Sequence, residues 1–186
     1  MTAGHALPGA TRPEDSAAAT RLITTLSVLT AVILIAIKAV AWWMSDSVSV
    51  LASLADSGLD LVASLATFWA VRYAAVPPDA EHRFGHGKAE AFASLFQAGL
   101  VFASAALVGR EAVVRFLNPT PVAEGSWAVA VMAISIVLTG LLVAAQTRAL
   151  KTTGSVAVAG DRAHYFADLA SNAAALVGVA GAFWLG

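Results

Sequence analysis

What most limits the fold of this chain is the recurrence of five apolar stretches, each about as long as a bilayer is thick, separated by short polar breaks. They cover roughly residues 22–44, 47–75, 88–117, 126–148 and 155–185. A helix needs about 20 apolar residues to cross the hydrocarbon core. Lipid offers backbone N–H and C=O groups no partner, so each stretch must satisfy its own backbone as a helix. A transmembrane barrel would instead show short strands of alternating polarity. Composition agrees, with 59% of the 186 residues hydrophobic and 12% charged, against roughly 45–50% and about 25% in a soluble domain. Mean hydropathy is +0.76, and eleven Lys and Arg stand against twelve Asp and Glu for a formal charge of −1. This excludes a nucleic-acid binder, a disordered chain and an ordinary soluble enzyme. The expected fold class is all-α, a polytopic membrane helix bundle with the lipid bilayer as its solvent.

Residues 1–21 read as a polar tail without the short apolar run of a secretory signal. Ser45-Asp46 reads as a tight turn, with Asp46 capping the second helix. Pro77-Pro78 ends that helix, and Asn118-Pro119-Thr120-Pro121 precedes the fourth. Basic residues fall on the tail (Arg12, Arg21), the second loop (Arg72, Arg83, Lys88) and the fourth (Arg148, Lys151). The positive-inside rule then places those segments in the cytoplasm, with the N-terminus inside and the protein in the cell's inner membrane. On that topology Trp42, Trp43, Trp127 and Trp184 fit an outer aromatic belt, the alternative for each being simple lipid-facing bulk. The chain has no cysteine, so a bound metal must use His, Asp, Glu or backbone oxygen.

Ionisable groups at membrane depth are costly and face a bundle interior, which makes the few present here informative. Asp56 and Asp60 are four residues apart in the second stretch, about 400° of rotation and about 6 Å of rise, so both lie on one helix face. His164 and Asp168 repeat the spacing in the fifth. If the two pairs face each other, they offer three carboxylates and one imidazole, a set suited to tetrahedral zinc and tolerable for ferrous iron, manganese or cobalt. The alternative is polar glue between helices, but carboxylates gathered in a low dielectric need a cation or protons between them. Metal and protons would then compete for the same side chains, with His164, whose unperturbed pKa is about 6.5, as the proton carrier. Four protein ligands leave no open position for a catalytic water, which favours carrying over catalysis. Lys38 lies deep in the first stretch, where snorkelling is difficult, and the sequence assigns it no partner. Asp161 opens the fifth helix, where an acid suits the dipole or draws metal toward the site.

The second loop holds Asp79, His82 and His86 beside Gly85 and Gly87. On spacing alone it is either a second cation site or a solvated loop. The run Phe84-Gly85-His86-Gly87-Lys88-Ala89-Glu90, together with Asp56-x3-Asp60 and His164-x3-Asp168, resembles the cation diffusion facilitator family, exporters of zinc and related divalent metals, over roughly residues 20–186. The resemblance implies a homodimeric, proton-coupled exporter that alternates between inward- and outward-facing states. It implies a transport site of Asp56, Asp60, His164 and Asp168, a loop site of Asp79, His82 and His86, and a Lys88 that engages a cytoplasmic domain. The ligand combination resembles that of zinc exporters first and ferrous-iron exporters second, with the metal as transported substrate and no prosthetic group. Family members have a sixth membrane helix and a C-terminal cytoplasmic domain, so the chain reads as five helices of an expected six. The alternatives are a truncated, transport-inactive metal-binding membrane protein and a metal-dependent intramembrane hydrolase. No HExxH or serine-nucleophile motif supports the latter.

Overall fold

Pro13 opens the first helix well before the apolar run begins. Proline suits the first helical turn, where its missing N–H costs nothing, and Glu14 and Asp15 follow at the positive end of the dipole. Part of the segment that reads as a polar tail is therefore helix. Thr20 and Thr24 spend their hydroxyls on the carbonyls of Ser16 and Thr20, which lets a polar start continue into an apolar span. The computed structural model describes residues 13–46, 48–118 and 126–185. Residues 1–12 and 119–125, and the side chains of Trp127 and Trp184, lie outside the described residues.

Five helices make up the bundle: α1 (Pro13–Ser45), α2 (Val48–Ala74), α3 (Lys88–Leu117), α4 (Ser126–Thr153) and α5 (Val156–Leu185). Among the described residues there is no strand. By length and composition α1 to α4 can each cross a membrane. The described part of α5 carries Asp161, Arg162 and Asp168. Asp46 closes α1: its φ is +48° and its N–H returns to the Trp42 carbonyl at 2.8 Å. Aspartate tolerates that left-handed turn better than most side chains.

The helices close a ring in the order α1, α2, α3, α5, α4, each packed on the next, and α2 also touches α5 across its middle. Large apolar side chains such as Trp69, Phe102 and Leu141 are exposed, as a lipid solvent allows, while small and polar residues fill the inside. Two local devices seat α5. Ser155 caps it, with Oγ accepting from the Val158 N–H at 3.3 Å and donating to Glu90 Oε2 at 2.6 Å. The α3 carboxylate thus stands at the positive end of α5. Further on, Gly160 lets α3 approach so closely that an added Cβ would lie 3.0 Å from the Ser94 Cα.

Candidate metal centre

Where α2 and α5 meet, Asp60 and His164 come from opposite helices and touch: His164 Nε2 lies 3.2 Å from Asp60 Oδ1. The same nitrogen is 3.5 Å from Asp168 Oδ2, one turn further along α5. One donor atom from each of these residues lies within 4.8 Å of the others. Zn–N and Zn–O bonds of about 2.0–2.1 Å in a tetrahedron put ligand atoms roughly 3.3–3.4 Å apart, so the spacing suits a small divalent cation. It also suits protons. One imidazole nitrogen between two carboxylates has more acceptors than a single N–H serves well, while His164 Nδ1 and Asp168 Oδ2 are buried without a hydrogen-bond partner. Unsatisfied polar groups at such depth are expensive unless the site is built for an ion.

Asp56 is placed differently. It lies one turn before Asp60 on α2 with its side chain exposed, and it is not part of the three-residue gathering. Lys38 of α1, by contrast, is buried against this same turn, donating to Ser57 Oγ at 2.6 Å and to the Ser53 carbonyl at 3.1 Å.

On the other side of His164 the interior is polar but sealed. Asp161, 1% exposed, accepts from Gln97 of α3 at 3.0 Å and from Gln146 of α4 at 2.8 Å. Gln146 also donates to Ser27 of α1 at 3.1 Å, and Gln97 to Thr67 of α2 at 3.0 Å. Tyr165 pairs with Ser64 at 2.7 Å. All five helices therefore meet in one buried layer a turn from the cluster. The helix dipole alone does not account for Asp161, and the two glutamines inside apolar spans are the signal in the sequence that points to this layer.

The loop between α2 and α3 gathers its own three residues. His82 Nδ1 is 3.3 Å from Asp79 Oδ1, and His86 Nε2 is 3.5 Å from Asp79 Oδ2. Asp79 Oδ1 also accepts from the N–H groups of His82 at 2.6 Å and Glu81 at 3.0 Å. These backbone bonds, that of His82 foremost, hold the carboxyl below the usual carboxylate range. His86 Nδ1 faces the Val76 carbonyl at 3.2 Å. A carbonyl only accepts, so Nδ1 is the donor in that bond; with the ring neutral, Nε2 then offers its lone pair on the Asp79 side, as a metal ligand must. The His86 ring also stands edge-on to Tyr73, 4.6 Å between centroids. The α2 end thereby anchors the loop.

A family model described as the cation efflux transmembrane domain matches residues 24–186. The chain is 48% identical over 157 residues to the cation-efflux pump FieF of Shewanella oneidensis, covering 84% of this chain and 53% of that protein. It is 41% identical over 154 residues to the protein of the same name from Citrobacter koseri, covering 83% and 51%. The Salmonella arizonae counterpart is 39% identical over 156 residues, covering 84% and 52%. The chain thus spans about half the length of the curated relatives it matches.

Proposed function

This chain belongs to the cation efflux family, and we propose that it carries the metal-handling membrane part of a proton-coupled exporter of divalent cations, with Zn2+ first and Fe2+ second. The observation that carries the reading is the convergence of Asp60, His164 and Asp168 from α2 and α5 at ligand-to-ligand spacing. Asp56 completes the proposed four-ligand set when its turn of α2 rotates inward around an ion. A closing motion of that kind is the expected companion of binding.

Exchange follows from competition. Metal requires the imidazole nitrogen free and the carboxylates ionised, so its arrival releases protons and its departure recruits them. Two doors are needed for transport. The sealed layer around Asp161 lies before His164 on α5, toward the end that we place in the cytoplasm, while Asp56 and Asp168 keep access on the other side. The structure is then read as the outward-facing arrangement. Asp79, His82 and His86 form a second metal site at the cytoplasmic mouth, and the working unit is a homodimer in the inner membrane with its N-terminus inside.

Reconstituted vesicles test this. With Zn2+ outside and an outward-directed proton gradient, we expect metal uptake that raises the internal pH as protons leave, and the loss of both fluxes in Asp60→Asn. Saturable Zn2+ binding with no flux of either ion would instead support a metal-binding protein that does not transport.

A further inference from the structure

Lys38 is the one α1 side chain in the neighbourhood of the cluster that carries charge, and neither set of proposed ligands uses it. It is 4% exposed, and its hydrogen bonds go to neutral oxygens of α2, Ser57 Oγ and the Ser53 carbonyl. These flank Asp56 in sequence. Ser57 also stands within one turn of Asp60, so the ammonium lies against the acidic stretch of α2 while spending its hydrogen bonds on neutral oxygens.

Resting on the proposed metal reading, we propose that Lys38 is a specificity-determining residue, a fixed counter-charge that sets the transport site to accept two positive charges. Among the proposed ligands Asp56, Asp60 and Asp168 contribute three negative charges and Lys38 one positive, which leaves two to be neutralised; Asp161, a turn away, is counted apart because Gln97 and Gln146 donate to it. A divalent cation brings the site to zero, the state that crosses an apolar interior at least cost. Without the ammonium the occupied site keeps one negative charge, holds its metal more strongly and releases it more slowly.

A merely structural staple between α1 and α2 gives a different outcome, and Lys38→Gln separates the two. Glutamine keeps N–H donors for Ser53 and Ser57 and removes the charge. The experiment measures Zn2+ binding to the full chain at about pH 8, where protons compete least, in a His82→Ala/His86→Ala background that isolates the membrane site. Lys38→Gln and Lys38→Met should bind Zn2+ about tenfold or more tightly than the parent and transport it more slowly in vesicles, while Lys38→Arg keeps the parent affinity. Should the methionine variant fail to fold, the glutamine variant decides. Unchanged or weaker Zn2+ binding by a folded Lys38→Gln overturns the proposal. A parent that binds no Zn2+ overturns the metal reading itself.

Discussion

Each histidine that matters here is defined by what its two ring nitrogens face. His164 turns Nε2 toward two acids from different helices, and His86 is oriented by a carbonyl on one nitrogen and an acid on the other. The i, i+4 spacings made the acids and His164 readable as one face per helix, because helical periodicity alone decides that. It does not decide how a helix is rotated in the bundle, so the exposure of Asp56 was not legible. Nor were the partners of Asp161, which come from distant chain segments. Asp79 permits a pH expectation. Its carboxyl lies below its ordinary value when the loop is folded, so the carboxylate form favours the folded loop. That contribution is present above the unfolded pKa of about 3.9 and is lost as pH falls through the lower folded value. Protection of the His82 amide, its exchange rate relative to an unfolded peptide at the same pH, should therefore owe no change to Asp79 between about pH 5 and 8 and should fall only in stronger acid. Protection lost already near neutrality would contradict this. For the buried layer, Gln97→Leu removes a donor to Asp161 and should lower stability by about 1–3 kcal/mol, read as a fall in the melting temperature of the detergent-solubilised chain.

At the level of the helices, the apolar runs located all five, and the Pro and Gly punctuation located most ends. The misplaced boundary at Pro13 has a simple cause. Polar residues do not prevent a helix that opens with a proline and two acids and continues into a span. That Asp46 closes α1 in the left-handed conformation was not legible, because a turn aspartate serves several backbone geometries and only the angle itself distinguishes them. Close approach of α3 and α5 was likewise unreadable, since Gly160 is one small residue among many until Ser94 is found against it. Gly160→Val should push the two helices apart and destabilise the fold by about 1–3 kcal/mol, whereas Gly178→Ala, where an added Cβ meets nothing within 4 Å, should be neutral or mildly stabilising. Equal melting temperatures for the two variants would remove the close contact from the account.

The molecule as a whole, in its described residues, is a ring of helices with the Asp60, His164 and Asp168 cluster on the α2–α5 diagonal, flanked by a sealed polar layer on one side and by Lys38 on α1. The all-α membrane class was legible in the sequence because lipid leaves a chain of this composition few other ways to satisfy its backbone. The ring order was not, because apolar faces pack on one another with little directional preference. Everything functional depends on the diagonal cluster holding an ion that the loop site does not. The direct measurement is the number of Zn2+ ions retained at equilibrium by the purified chain carrying His82→Ala and His86→Ala, with and without Asp60→Asn. One Zn2+ per chain should remain in the first protein, and its affinity should fall by about tenfold or more in the second. No bound Zn2+ once the loop histidines are gone, or undiminished affinity without the Asp60 carboxylate, would contradict the account.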